Sequence, residues 1–127
     1  MHKWILALLL LSLALSVGCG GDSDSALSVG PSQNGQSVAL DAGRSLVVEL
    51  PGNPTTGYEW VVAQADAHLL EAAETEYQPD SDALGAGGRY TFRFRALASG
   101  STPVVLAYRR SWEPDPIETF SLTVTIP

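Results

Sequence analysis

The chain has 127 residues, with 14 acidic and seven basic side chains, so its formal net charge at pH 7 is −7. This balance argues against binding to nucleic acid, which needs clustered Lys and Arg to neutralise phosphates. It also argues against attachment to an anionic membrane by charge. The single cysteine excludes an internal disulfide, and one cysteine with two histidines cannot supply the several ligands that a zinc site needs.

The N-terminal residues have the layout of a secretory signal peptide. Residues 1–18 combine a basic start, an apolar run over residues 4–15 and small residues before Cys19. The run is too short for a comfortable membrane span. Residues 15–19 resemble a bacterial lipobox, although Ser16 stands where Leu, Val or Ile is usual. We therefore expect cleavage after residue 18 and lipidation of Cys19, the alternative being a cleaved protein with a free thiol.

The next segment predicts a tether before a single folded domain. Residues 19–36 hold Cys19 and a polar stretch rich in Gly, Ser and Asp, which predicts a flexible tether. Residues 37–127 are enough for one sandwich domain. Gly20 stands where an aspartate would suggest retention in the inner membrane of bacteria. We therefore expect an exported, lipid-anchored protein of the bacterial cell envelope, with the outer membrane favoured.

From residue 37 onwards apolar side chains recur with period two, which predicts strands. The clearest case is Tyr90, Phe92 and Phe94, which alternate with arginines and so predict a strand with one buried and one solvated face. No βαβ unit is visible. The pattern predicts an all-β fold, an immunoglobulin-like antiparallel β-sandwich of about seven strands. The predicted strands are residues 37–40, 45–50, 58–62, one strand within 69–77, 89–95, 104–108 and 119–126.

Residues that could perform catalysis are sparse. His68 is the one histidine outside the signal peptide, and no nucleophile motif lies near it. The aspartates at residues 80 and 82 lack the ligand spacing of an EF-hand. The glycine-rich residues 85–88 precede a strand rather than a helix, so they do not form a phosphate loop. We predict a binding protein without a cofactor or metal, not an enzyme.

The loop at residues 53–57 is the first candidate for a binding surface. Pro54 fixes its own φ and favours an extended Asn53, while Thr55 and Thr56 are restricted at χ1. Gly57 can adopt a positive φ where the chain turns into the next strand. Such a stiff loop loses little entropy when it binds a partner. The alternative is an ordinary turn between two strands.

Two further loops, at residues 85–88 and 109–115, are expected at the same end of the sandwich, where its loops cluster. Trp112 beside Arg109 and Arg110 has the composition of an interface hot spot. The alternative for Trp112 is a tryptophan packed into its own loop or into the core.

Together these loops resemble the motifs of the chagasin family of cysteine-protease inhibitors. Residues 53–60, Asn-Pro-Thr-Thr-Gly-Tyr-Glu-Trp, resemble the family's Asn-Pro-Thr-Thr-Gly-aromatic motif followed by Trp. Residues 85–88, Gly-Ala-Gly-Gly, resemble its Gly-x-Gly-Gly motif. Residues 108–112 resemble its Tyr-x-Arg-Pro-Trp segment, with Ser111 in place of the proline. The resemblance covers about residues 38–126.

The resemblance implies a monomeric, reversible, competitive inhibitor of papain-like cysteine proteases that needs no cofactor. Thr55 would lie nearest the catalytic residues, and residues 85–88 would pair with backbone on the non-primed side of the cleft. Arg110 and Trp112 would contact the other side of the cleft. Because Ser111 replaces the family's proline, this loop would be less rigid there. The implied protease-binding residues are Asn53, Pro54, Thr55, Thr56, Gly57, Tyr58, Gly85, Ala86, Gly87, Gly88, Arg109, Arg110, Ser111 and Trp112.

Two other classes stay open at the level of sequence. The first is an immunoglobulin-like module that binds another exported protein or a glycan. The second is a structural lipoprotein of the envelope, in which the three loops would tolerate substitution as freely as any surface.

Overall fold

The structure, a computed structural model, describes residues 26–127. The predicted signal peptide and Cys19 lie outside the described residues. Within residues 26–127 there are nine strands, two short 3-10 turns at Pro31–Gln33 and Pro54–Thr56, and no helix long and apolar enough to span a membrane. The strands are β1 Leu27–Val29, β2 Ser37–Ala39, β3 Ser45–Gly52, β4 Tyr58–Gln64, β5 Leu70–Ala72, β6 Glu76–Pro79, β7 Gly88–Ala96, β8 Gly100–Arg110 and β9 Glu118–Ile126.

These strands form two sheets that enclose one core. The first sheet has the order β1-β3-β7-β5, with β6 also paired to β7, and the second has the order β2-β9-β8-β4. Most pairs are antiparallel, but β1 lies parallel to β3 and β2 lies parallel to β9. The predicted all-β, immunoglobulin-like sandwich is confirmed, with nine strands rather than about seven.

The alternation predicted for residues 89–95 is confirmed in β7. Its aromatic side chains are buried in the core together with the apolar residues of β9. Burial of one such side chain contributes about 1.5–3 kcal/mol. On the outer face, Arg89 lies 3.5 Å from a carboxylate oxygen of Glu49, and Arg93 lies 3.8 Å from one of Glu76. Both ion pairs are exposed and therefore contribute little to stability.

The structure corrects the predicted tether over its second half. Leu27–Val29 forms β1, which runs parallel to residues 46–48 of β3, and Val29 is buried in the core. A strand of three residues is too short to show a period-two pattern, and Gly30 and Pro31 directly after it signal a break. The folded domain therefore begins before residue 37.

The single strand predicted within residues 69–77 is two strands, β5 and β6. They pair with different parts of β7, since Leu70 lies opposite Ala96 and Glu76 lies opposite Thr91. Alanine and glutamate dominate this segment, so no apolar alternation marked either strand. Both strands extend the first sheet beside β7.

Three loops meet at one end of the sandwich, which we call the loop end. Gly52 pairs with Gly88 there, and Tyr58 pairs with Arg110. Loop 1 is residues 53–57, loop 2 is residues 80–87 and loop 3 is residues 111–117. The strand pairing therefore brings the three predicted motifs together, as expected from the clustering of sandwich loops.

Candidate functional site

Loop 1 is one 3-10 turn that is closed by its own side chains. Asn53 Oδ1 accepts hydrogen bonds from the backbone N of Thr55 at 3.1 Å and from its Oγ1 at 2.6 Å. Thr56 Oγ1 donates to the carbonyl oxygen of Asn53 at 2.7 Å. Gly57 ends the turn at φ +86°, in the left-handed region that L side chains rarely adopt. The turn is therefore locally fixed, while Pro54, Thr55 and Thr56 are exposed.

The phenol of Tyr108 holds the base of loop 1. Its hydroxyl accepts from the backbone N of Asn53 at 2.8 Å and donates to the carbonyl oxygen of Asn53 at 3.3 Å. Its ring lies 5.4 Å from that of Tyr58 and 5.0 Å from that of Trp60. The sequence motifs contained Tyr108 but did not mark it as a site residue. The feature of the sequence that could have marked Tyr108 as a site residue is its position three residues before the start of loop 3.

Loop 2 is joined to loop 1 by one side chain. Asn53 Nδ2 donates to the carbonyl oxygen of Gly85 at 3.0 Å. Gly87 lies close to the start of loop 1, since a Cβ on Gly87 would be 3.4 Å from the carbonyl oxygen of Gly52, the last residue of β3, and 3.8 Å from Cβ of Asn53. Asp80 N donates to the carbonyl oxygen of Gly87 at 2.9 Å and closes loop 2 at its base. The two loops thus form one continuous surface.

The glycines at residues 85–88 serve different purposes. Gly85 adopts φ +78°, a conformation that favours glycine, and it is exposed. Gly88 is buried, and a Cβ there would overlap the carbonyl oxygen of Gln78 and the phenol of Tyr77. Packing between β6 and β7 therefore requires a glycine at residue 88, whether or not a partner binds.

Leu84, at the tip of loop 2, is a candidate contact that sequence reasoning missed. Its side chain is fully exposed directly before Gly85. An apolar side chain at that position gains about 25 cal/mol for each Å² that a partner covers. A lone Leu between Asp82 and the glycines was the available signal, because no strand alternation accounts for it.

Arg110 connects loop 3 to loop 1. Its Nε donates to the carbonyl oxygen of Thr56 at 3.2 Å, and its guanidinium lies 4.2 Å from the centre of the Tyr58 ring. Its Nη1 lies 3.2 Å from Glu113 Oε1, and the Trp112 ring centre is 5.7 Å from the guanidinium carbon. Tyr58 is therefore covered by Arg110 and supports the site from below.

Trp112 is a surface residue, 68% exposed. The edge of its indole covers loop 1, since a Cβ on Gly57 would lie 2.7 Å from Cη2 of Trp112. The alternative in which Trp112 packs into the core is wrong. Arg109 has a different role from its neighbour Arg110, because its Nη2 donates to the carbonyl oxygen of Glu113 at 2.9 Å and braces loop 3 internally.

Ser111 lies in a tight turn at the start of loop 3. Glu113 N donates to the carbonyl oxygen of Arg110 at 3.1 Å, which makes Ser111 the second residue of a four-residue turn. Proline is favoured at that position of type I and type II turns. The hydrogen bond forms the turn even with serine there.

The site offers shape and hydrogen-bonding groups rather than catalytic ones. Within residues 26–127 no group of three or more His, Cys, Asp or Glu side chains could hold a metal ion. His68 lies in the turn before β5, at the end of the sandwich opposite the loops, and its N–H donates to Asp66 Oδ1.

Beneath the loops, burial raises the pKa of Tyr90 to about 12, with smaller contributions from Tyr108, Glu59 and Tyr77.

Comparison with known proteins decides between the functional classes that the sequence left open. A family model described as the chagasin family peptidase inhibitor I42 matches residues 39–124, which include all three loops. The chain belongs to the chagasin family. Amoebiasin-1 of Entamoeba histolytica is 33% identical over 103 residues, which cover 79% of this chain and 99% of that protein. This chagasin-family chain is therefore a peptidase inhibitor and not an enzyme.

Solved structures confirm the fold of this chagasin-family chain. The cysteine protease inhibitor EhICP2 from Entamoeba histolytica superposes with a TM-score of 0.72 at 19% identity, over 80% of this chain and 95% of that one. PbICP-C, solved in complex with falcipain-2, superposes with a TM-score of 0.62 at 19% identity, over 80% of this chain and 99% of that one.

Proposed function

We propose that the chain is a reversible, competitive inhibitor of papain-like cysteine proteases and occludes the active-site cleft with loops 1, 2 and 3. The observation that carries this proposal is the pair of side chains that join the loops. Asn53 links loop 1 to loop 2, and Arg110 links loop 3 to loop 1. Three loops joined in this way form one rigid wedge, which loses little conformational entropy on binding.

Loop 1 is the part that enters the cleft in this proposal. Thr55 is exposed at the centre of the turn, where it would lie nearest the catalytic cysteine and histidine of the protease. The carbonyl oxygen of Asn53 already accepts from Thr56 Oγ1, and that of Pro54 accepts from Gly57 N at 3.0 Å. A peptide bond held in this turn is not in the geometry of a near-attack conformer. The loop would therefore fill the cleft without being cleaved.

Loops 2 and 3 flank loop 1 and supply most of the remaining contact. The exposed backbone at Gly85 and its neighbours can pair with an extended segment of the protease on the non-primed side. Leu84 adds an apolar contact on the same side. Trp112 and Arg110 lie on the other side of loop 1, where an aromatic ring and a guanidinium are typical of interface hot spots.

A titration of papain tests this function. Residues 25–127 would be added to papain with a fluorogenic substrate, and a trypsin-like serine protease would serve as the control enzyme. We expect a reversible, substrate-competitive loss of papain activity and no effect on the serine protease. No inhibition of papain by micromolar, demonstrably folded protein would contradict the proposal.

We further propose that the chain is exported and lipidated at Cys19, so that it is anchored in the bacterial cell envelope. The support is the layout of residues 1–18 and the position of the single cysteine directly after them. Labelled fatty acid should join the full chain in a bacterial host and should fail to join its Cys19→Ser variant. Equal labelling of both chains, or of neither, would contradict lipidation at this residue.

A further inference from the structure

The direction of β1 fixes where the chain enters the folded domain. Leu27 pairs with Leu46 and Val29 with Val48, in parallel register. From Leu46, β3 continues for six more residues to Gly52 at the loop end. At about 3.3 Å per residue, the start of β1 therefore lies about 20 Å from the loop end. The chain enters at the end of the sandwich opposite the three loops.

This entry point is held by the core and by hydrogen bonds. Val29 is buried in the core, and Leu27 packs against it. Directly after β1, Gly30 N donates to Gln33 Oε1 at 2.6 Å, and Gly35 N donates to the carbonyl oxygen of Ser121 on β9 at 2.7 Å. Reversing the direction of entry would require β1 to leave the first sheet, with the loss of its pairing and its buried side chains.

We propose that attachment through Cys19 holds the loop end facing away from the attachment surface, so that the anchored inhibitor captures a protease arriving from the aqueous side. The inference rests on the proposed attachment and on the proposed inhibitory function. It defines the kind of partner, since the active site of the protease must stand at least about 20 Å above the surface. A protease whose cleft opens at the level of the membrane is excluded.

The short connection between Cys19 and the domain supports this orientation. Six residues separate Cys19 from Ala26, and the seven steps between their Cα atoms span at most about 25 Å even when fully extended. If the loop end faced the attachment surface, the connection would have to run the roughly 20 Å from the loop end to the start of β1. That distance takes almost all of its length. Full extension is the arrangement with the lowest conformational entropy for a chain of this length. The outward orientation carries no such cost.

The single cysteine makes a direct test possible. Residues 19–127 would be coupled through Cys19 to vesicles that contain a maleimide lipid, and the free form would carry a capped thiol. The matched variant combines Cys19→Ser with Ser81→Cys and is coupled through exposed Ser81→Cys on loop 2. Two quantities would be measured: the inhibition constant for papain, and the quenching of Trp112 fluorescence by headgroup spin-labelled lipid. The fluorescence of buried Trp60, measured in the Trp112→Phe variant, would be subtracted.

Coupling through Cys19 should leave the inhibition constant within about twofold of the free form, with weak quenching of Trp112. Coupling through loop 2 should weaken inhibition by about tenfold or more and give strong quenching. Strong quenching in the chain coupled through Cys19, or equal inhibition by both coupled forms, would overturn the proposed orientation. Failure of the free form to inhibit would instead contradict the proposed function, and the quenching would still test the orientation.

Discussion

The carboxamide of Asn53 donates from Nδ2 to the carbonyl oxygen of Gly85 over 3.0 Å, while its Oδ1 accepts from the backbone and the hydroxyl of Thr55. One side chain therefore closes loop 1 and joins it to loop 2. A partner that contacts both loops meets them in a single arrangement. Because each hydrogen bond contributes only about 0.5–1.5 kcal/mol, the larger consequence of this link is the rigidity of the wedge.

Two replacements of Asn53 should separate its closure of loop 1 from its link to loop 2. Asn53→Ala removes all three hydrogen bonds and should weaken inhibition of papain by about tenfold, because both loops gain freedom that binding must then remove. Asn53→Asp keeps the bonds to Thr55 but loses the donor to Gly85, so it should have an intermediate effect. The inhibition constants would be measured beside urea unfolding.

The matched control for this replacement is Asn34→Ala. Asn34 Oδ1 accepts from Ser121 N at 2.8 Å, outside the three loops. Its loss should lower the free energy of unfolding by about 1 kcal/mol and leave inhibition unchanged. If Asn53→Ala behaves like Asn34→Ala, Asn53 is a structural residue and does not position the binding surface.

Thr55→Trp should weaken inhibition by about 30-fold or more, because a bulky side chain at the centre of loop 1 would crowd the cleft. Thr123→Trp, on the exposed outer face of β9, introduces the same side chain away from the loops and should have no effect. Both variants would be titrated against papain after circular dichroism has shown that they are folded. An unchanged inhibition constant for Thr55→Trp would place Thr55 outside the centre of the interface.

Trp112→Ala should cost about 2 kcal/mol or more of binding free energy if Trp112 is a hot spot. Stability should change little, because the side chain is 68% exposed. Ile117 is 60% exposed in the same loop and gives the control Ile117→Ala, for which we expect inhibition close to that of the parent chain. Equal effects of the two substitutions on the inhibition constant would assign Trp112 no special role.

Ser111→Pro should tighten inhibition and raise stability. Ser111 is the second residue of the turn closed by Glu113 N and the carbonyl oxygen of Arg110, where proline is favoured. A compatible proline stabilises by about 0.4–1 kcal/mol, because the unfolded chain has fewer conformations to lose. Thermal unfolding and the inhibition constant would be compared with those of Ser111→Ala. Weaker inhibition by Ser111→Pro would mean that the backbone at residue 111 differs from that of the family's proline turn.

The loops could be located from sequence because their residues are chemically unusual, whereas their internal contacts could not. Pro54 restricts the backbone and Gly57 permits a positive φ, properties that any single sequence shows, and the aromatic alternation from residue 90 identifies β7. By contrast, nothing in the sequence separates Gly88, which packing requires, from Gly85, which is exposed. Neither the reach of Asn53 to loop 2 nor the burial of β1 leaves a periodic signal, because both depend on strand register.

The pH dependence of stability provides a further test, because Tyr90 is buried close beneath loop 1. Its side chain is 6% exposed, and a Cβ on Gly52 would lie 2.7 Å from its ring. Burial chiefly, and then nearby acidic groups, raise its pKa from 10.0 to about 12. The folded state thus retains a proton that the unfolded state loses between these values. By linkage, the stabilisation is fully present below pH 10 and is lost as the pH rises towards 12.

A shift of two pKa units corresponds to roughly 2–3 kcal/mol, so the free energy of unfolding should fall by that order between pH 10 and pH 12. Tyr90→Phe keeps the ring and removes the ionisable hydroxyl, so its stability should fall less steeply over the same interval. Urea unfolding of both chains across this range measures the difference in slope. Parallel loss of stability in the two chains would mean that Tyr90 keeps its ordinary pKa, and that the ring at the base of the loops is more hydrated than its burial indicates.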